Sequence, residues 1–349
     1  MKRIFERVPE GKDPLLIGPE TIVFSEDSKM YTFTEDGKIV RLENLIAAPN
    51  DANTVYADVV EIAASIGRPL GGKFVPGTQV LYFADVLLGL CRIDLSNKHP
   101  KIELVASKVQ TEDGRWSPIL FADDVDIGTK SGMIYFSDAS YIPPGRDPDL
   151  TYDVLYAFKT SFLQNERSGR LLRYNPRTEE VKVLADGIFF ANGIAVDKDE
   201  TSVIVNESSM FRVLKYHLTG SKEGELEVAV GSLPGFVDGA DCSHTSGMCY
   251  VVMPTSVTGL TKTLLKMPAT AEAIFRTLLM MLPKELSPQP ENYTGIVEIA
   301  KIGSESKVNR IIQDPDGEDI WEIAGVTEND GKLYLGSLNT DFIGVYDLD

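Results

Sequence analysis

FADDVDIGTKSGMIYFSD, residues 121–138, runs as an alternating apolar strand, crosses a Gly/Ser turn and returns as a second strand rich in Ile, Tyr and Phe. Four other stretches share the layout: GPETIVFSEDSKMYTF (18–33), ANGIAVDKDETSVIVNES (191–208), VDGADCSHTSGMCYVVM (237–253) and WEIAGVTENDGKLYLGS (321–337). Period-2 alternation bounded by turn residues marks paired strands. A strand pair recurring along a chain marks a β-propeller. Aligned on the returning strand, Glu20, Asp123, Asn192 and Asp238 occupy one position, and Glu322 falls there in the last stretch. Inner strands of a propeller converge on its axis, so one polar position repeated from blade to blade becomes a ring. Three carboxylates and an amide offer only hard oxygen donors, the chemistry of a Ca2+ site.

Asp and Asn also cap turns ahead of strands. That accounts for one such residue easily and for four at matched positions poorly, Glu20 least, because Glu is a weak turn former. The sequence therefore assigns Glu20, Asp123, Asn192 and Asp238 as metal ligands, with Ca2+ or another divalent cation as cofactor. Such an ion polarises a carbonyl or phosphoryl oxygen and lowers the pKa of bound water. That is the chemistry of ester, lactone and phosphotriester hydrolysis. Asp238 is the ring carboxylate assigned to catalysis. Asp124, beside Asp123, is a candidate base and equally a turn or supporting carboxylate.

Working outward, the chain divides into six blades at roughly 17–45, 72–106, 120–184, 189–231, 236–312 and 320–348. Turn dipeptides such as Asp36-Gly37 and Asp330-Gly331 separate the strands. This is an all-β reading: one six-bladed β-propeller over residues 1–349, with short helical insertions. The sixth blade has three strands, and MKRIFERV (1–8) supplies the missing outer one, closing the ring and removing exposed edges. Insertions fall at 139–168 and 254–290. In the second, Ile274, Phe275, Leu278, Leu279 and Leu282 recur at helical spacing over 271–282, and Pro283 ends the helix. A cap packed on one propeller face is the favoured role; a peripheral membrane contact and a cleft wall are the others.

The chain has 349 residues, is 43% hydrophobic and carries a net charge of −18. That balance sets aside nucleic acid and anionic membrane surfaces as partners and favours cations or a neutral small-molecule substrate. Three cysteines do not make a disulfide scaffold. Cys91 reads as a buried apolar residue, while Cys242 and Cys249 flank a turn and are either bridged or two buried thiols. No stretch has the length of a membrane-spanning helix, and residues 1–19 lack the apolar core of a signal peptide. The compartment stays open: cytosolic, or a leader removed. Asn206-Glu207-Ser208 and Asn292-Tyr293-Thr294 are formal glycosylation sequons. His99, His217 and His244 lie in loops, strand ends or turns, and GxSxG, HExxH and CxxC are missing, so serine-hydrolase and zinc chemistry have no support.

GRPLG (67–71), YFADVLLGL, FADDVDI, YFSDAS, GRLLRYNPRTEEVKVL, FFANGIAV, LPGFVDG, DPDG (314–317) and ENDGKLYLGS occur in an order that resembles the strictosidine synthase-like family over residues 17–349. The resemblance implies a six-bladed propeller. It extends to paraoxonases, regucalcin and gluconolactonases, whose axial Ca2+ is held by a glutamate like Glu20, asparagines at the positions of Asp123 and Asn192, and an aspartate like Asp238. The chain departs at Asp123, commonly Asn, and at Gly239, where Asn often follows the Asp. True strictosidine synthases place an acid/base glutamate on the inner strand of the sixth blade. Counted back from the ENDG turn, that position is Ala324, and Glu322, one pleat earlier on the same face, is the nearest substitute. The plant enzymes' disulfide near the second blade has no counterpart around Cys91. The leading expectation is a metal-dependent hydrolase of arylesterase or lactonase type. A Pictet–Spengler synthase is disfavoured by Ala324, and a non-catalytic propeller with a structural cation is the alternative of another class.

Overall fold

Second strands of the hairpins, such as Met30–Phe33, Ile134–Asp138 and Ser202–Glu207, are buried at nearly every residue, so apolar side chains on both faces are satisfied only by sheets packed on either side. The computed structural model, which describes residues 1–282, 292–300 and 306–348, provides that arrangement. It is a six-bladed β-propeller of four-stranded antiparallel blades.

Blade 1 is Ile22–Phe24, Met30–Phe33, Lys38–Ala48 and Asp51–Ala64; blade 2 is Pro69–Phe74, Val80–Asp85, Gly89–Asp94 and Ile102–Ala106. Blade 3 is Ala122–Ile127, Ile134–Asp138, Gly169–Asn175 and Glu180–Ile188; blade 4 is Ala191–Val196, Ser202–Glu207, Arg212–His217 and Leu226–Val230. Blade 5 is Ala240–Cys242, Met248–Met253, Thr294–Ala300 and Lys307–Asp314; blade 6 is Ile323–Asn329, Lys332–Ser337 and Phe342–Asp347. The core is divided among the seams. Phe33 of blade 1 meets Phe83 of blade 2, and Ile204 of blade 4 packs with Val251 and Val297 of blade 5. Each fully buried side chain of this size contributes about 1.5–3 kcal/mol.

Lys2–Glu6 pairs antiparallel with Phe342–Asp347, in the register Lys2↔Val345 to Phe5↔Phe342. It also pairs in parallel with Asp51–Ala64, Arg3 facing Thr54 and Glu6 facing Ala57. Blades 1 and 6 thereby merge into one eight-stranded sheet. The strand Asp51–Ala64 lies beyond the expected end of blade 1; its outer position leaves it largely exposed, which weakens its alternation.

Among the described residues the insertions carry three helices: α1 (Val154–Gln164), α2 (Gly259–Leu264) and α3 (Ala269–Met280). Asp153 caps α1 by accepting from the Tyr156 N–H at 3.0 Å. α3 meets α1 through Arg276, whose guanidinium donates to the Phe162 carbonyl, lies 4.6 Å from the Phe162 ring and is held by Glu272. An apolar packed face was the expectation for this helix. Its buried residue is instead Arg276, and Ile274 and Leu278 stand in solvent at 59% and 56% exposure. Pro283 lies outside the described residues. No described helix is long and apolar enough to cross a membrane.

Cys242 and Cys249 face each other across the hairpin and are bonded. Cys91 is free and buried, and burial pushes its thiol pKa up. Asn206 of the first sequon is fully buried with its amide donating inside the protein, a position closed to a glycan.

Candidate functional site

Each inner strand begins where the chain turns in towards the axis, and backbone contacts between neighbouring blades define that ring. The Gly193 N–H donates to the Asp238 carbonyl at 3.1 Å, and the Gly239 N–H to the Ala324 carbonyl at 2.8 Å. A Cβ on Gly239 would lie 2.4 Å from the Ala324 oxygen, and one on Gly325 would lie 2.2 Å from the Glu20 oxygen. These contacts admit only glycine, which explains why no Asn follows Asp238. They set Asn192, Asp238, Ala324 and Glu20 in turn around the ring, and a Cβ on Gly71, which follows Leu70, would likewise meet the Asp123 carbonyl oxygen at 2.9 Å, adding Leu70 and Asp123 to it.

Carboxylates at the ends of the second strands hold the approach to this ring. Asp138 accepts from the N–H groups of Leu120 (3.2 Å) and Phe121 (3.0 Å), just ahead of Asp123. Glu207 accepts from the Phe189 N–H at 2.9 Å, ahead of Asn192. The Asn206 amide donates to the carbonyls of Asp238 and Gly239. Charged acceptors on backbone N–H groups are among the stronger hydrogen bonds and favour one geometry.

Glu20 and Asp123 are buried, at 7% and 4% exposure. Burial, then the charge of Asp238, raises the Glu20 pKa to about 8 against the pull of Arg68. Burial and the charges of Glu20, Asp238 and Asp124 hold Asp123 well above the carboxylate range. Burial raises Asp238 to about 7, with a hydrogen bond from Asn192 opposing. Glu20, Asp123 and Asp238 thus act on one another through charge, and Asn192 hydrogen-bonds to Asp238. Among the described residues, however, no three His, Cys, Asp or Glu side chains are gathered tightly enough to form a metal cluster. Fit to a cation rests on the donor chemistry: Glu20 Oε2 and Asp123 Oδ2 are buried without a hydrogen-bond partner, and the set offers oxygens alone.

Two predicted catalytic residues stand differently. Asp124 accepts from the N–H groups of Val125 (2.8 Å) and, across the seam, Ile194 (3.0 Å). Burial raises its pKa to about 8 against those two donors. It braces blade 3 to blade 4 and also borders the axial cavity. Glu322 is outside the ring. Its backbone is left-handed at φ +50°, its N–H donates to the Tyr293 carbonyl, and the Asn339 amide donates to its carboxylate. A bulge between Ile323 and Gly325 places Ala324 at the sixth position.

Sequence reasoning passed over the basic residues. Arg68 is buried two residues before Leu70 and acts electrostatically on Glu20. Lys73 Nζ lies 2.7 Å from Asp241 and 3.6 Å from Asp126. Burial lowers its pKa, but those two carboxylates outweigh burial and raise it above the usual lysine value. It lines the far mouth of the axial channel, a cavity of about 410 Å³ bordered by Phe24, Asp124, His244 and Glu328. His244 is more enclosed than its turn suggested, with both ring nitrogens buried and unpartnered.

On the ring's other side an aromatic wall is built two residues upstream of the ring, from Phe121, Phe190 and Phe236. Phe158 of α1 packs edge-on against Phe190 and Phe236, with centroids 5.2 and 5.4 Å away.

The strictosidine synthase family pattern matches residues 123–221, and the strictosidine synthase-like N-terminal pattern matches residues 6–42. Strictosidine synthase-like protein 10 of Arabidopsis thaliana is 30% identical over 345 residues, 95% of this chain and 85% of its own length. The adipocyte plasma membrane-associated protein of Salmo salar is 30% identical over 344 residues, 95% of this chain and 76% of its own. Among solved structures, a gluconolactonase from Xanthomonas campestris matches with a TM-score of 0.61 at 10% identity, covering 95% of this chain and 86% of its own. The calcium-binding protein regucalcin from Agrobacterium tumefaciens matches with a TM-score of 0.51 at 12% identity, covering 96% and 87%. At such identities the structural likeness is one of fold, whereas the sequence matches run nearly end to end. At 30% identity over 95% of its length to strictosidine synthase-like protein 10, the chain belongs to the strictosidine synthase-like family.

Proposed function

We infer that the protein is a divalent-cation-dependent hydrolase of esters or lactones, with Ca2+ as the natural ion. The observation that carries this reading is the set of three interacting carboxylates, two with a buried, unpartnered oxygen, at a propeller axis. Glu20, Asp123, Asn192 and Asp238 would hold the ion. When bound, it supplies Lewis-acid activation of a carbonyl and of water. The chain's own residues orient and shield. Asn192 fixes the Asp238 carboxylate, Asp124 secures the seam beside Asn192, and the phenylalanine wall limits water. The gluconolactonase and the calcium-binding regucalcin lend support as relatives in fold. Synthase chemistry is disfavoured because Ala324 cannot transfer a proton.

The test is hydrolysis of phenyl acetate and of an aliphatic lactone by protein treated with chelator, then resupplied with Ca2+. Activity lost on chelation and restored by Ca2+ is the expected result. Turnover that survives chelation would place the chemistry elsewhere, and no turnover of either substrate would favour a propeller that binds without catalysis.

A further inference from the structure

The GRPLG segment contributes a group that the ring of acids does not explain. Arg68 is 6% exposed. Its Nη1 donates to the Tyr152 carbonyl at 3.2 Å, while Nη2 is buried with no partner. Burial lowers its pKa, opposed by the charges of Glu20, Glu35, Asp153 and Asp147. Nη2 lies against Gly18, two residues ahead of Glu20, only 3.4 Å from where a Cβ would stand. Glu20 Oε2 is also buried and unpartnered, so these two opposite charges act on each other without a hydrogen bond between them. A counter-ion would be expected to make that bond, since a buried unpaired charged donor costs several kcal/mol.

We propose that Arg68 Nη2 is an anion-binding group of the ring face, receiving one oxygen of a carboxylate, or the carbonyl oxygen of the parent ester or lactone. The remainder of the ligand would then meet Phe121, Phe190 and Phe236, which precede the ring and pack with Phe158 of α1 in a buried apolar cluster. Ligands of this class are carboxylic acids and their esters or lactones with an aromatic or alkyl body, in contrast to polyhydroxylated sugar lactones. Guanidinium suits this task better than ammonium because it is planar and pre-organised for carboxylate oxygens. The substrate half of the proposal rests on the hydrolase reading; the carboxylate half does not.

The experiment is calorimetric titration of the Ca2+-supplied protein with phenylacetate and with gluconate, for wild type, Arg68→Gln and Arg68→Lys. Phenylacetate should bind wild type more tightly than gluconate, and both variants should weaken it by about tenfold or more. Ca2+ affinity, measured in parallel, should be unchanged in Arg68→Lys and unchanged or tighter in Arg68→Gln. Arg68→Lys keeps the buried charge, so it remains informative if Arg68→Gln fails to fold. Unaltered phenylacetate affinity in a folded variant overturns the proposal, as does a wild type that binds no phenylacetate or prefers gluconate. If phenylacetate binding is lost in the variants while no ester is hydrolysed by wild type, the anion site stands and the hydrolase reading falls.

Discussion

Replacing Glu20 by Gln separates the cost of the ring's charge from its use. Glu20 is 7% exposed, and its pKa is displaced from 4.5 to about 8 by burial and by Asp238. A carboxyl whose folded pKa is raised contributes stability that is fully present below its unfolded pKa and is withdrawn as pH climbs to the folded value. The window is therefore about pH 4.5 to 8. Each pH unit of displacement is worth about 1.4 kcal/mol, so wild type should lose up to roughly 5 kcal/mol across it. Unfolding entropy is about 2.1 cal/mol/K per residue, which over 349 residues turns that loss into about 7 °C of Tm. The assay is thermal unfolding in chelator from pH 5 to 9, repeated in excess Ca2+. Gln cannot ionise, so Glu20→Gln should show a shallower pH slope in chelator and exceed wild type in Tm at pH 8.5. In Ca2+ the order should reverse, because the variant has lost a charged ligand. A chelated wild type whose Tm stays flat or rises between pH 5 and 8 would refute the reasoning, as would a variant less stable than wild type in both conditions.

Asn192→Ala should weaken Ca2+ binding in calorimetry, and Asp238→Ala should weaken it more and abolish ester hydrolysis, because it also removes a charge; equal effects would argue against a charged ring. Lys73→Met leaves Asp126 and Asp241 without their shared cation and should destabilise the fold by about 3 kcal/mol in urea titration. Adding Asp241→Asn should recover part of that loss, and a neutral Lys73→Met would show the contact to be incidental. Tryptamine and secologanin should yield no strictosidine above background; product formation abolished by Glu322→Gln would show that Glu322 acts as acid/base from outside the ring.

Much of the ring was legible because second strands such as Met30–Phe33 and Ser202–Glu207 are buried on both faces and stand out as unbroken β-formers. Their constant offset from the inner strand locates Glu20, Asp123, Asn192 and Asp238. The offset failed in blade 6, where the hairpin is shorter: Asn329 pairs with Lys332, against Ile127 with Ile134 in blade 3 and Val196 with Val203 in blade 4, so counting back by the same offset overshoots Ala324 and lands on Glu322. Blade 2 carries Leu70 at the ring, an apolar residue with nothing to mark it. Arg68 and Lys73 were missed for a physical reason: each is unique to its blade and is defined by acids from other blades, Glu20 for one and Asp126 and Asp241 for the other. No periodicity reports such pairings. The helix at 269–280 was found by its apolar spacing, but spacing cannot say which face meets the protein, and here an arginine does.

Lys2–Glu6 belongs to two blades at once, and this bears on how the molecule is made. Its antiparallel partner, Phe342–Asp347, is the last strand described, whereas its parallel partner, Asp51–Ala64, follows early. At a synthesis rate of about 10 residues per second, the closing partner appears roughly half a minute after the first strand. During that interval the parallel pairing gives the nascent strand an early hydrogen-bonding neighbour, so one of its two edges is covered while the later blades are still being translated. Loss of Lys2–Glu6 would expose the outer edges of blades 1 and 6 together, making aggregation of ribosome-released chains, rather than a lowered Tm of the finished protein, the first symptom of an N-terminal truncation.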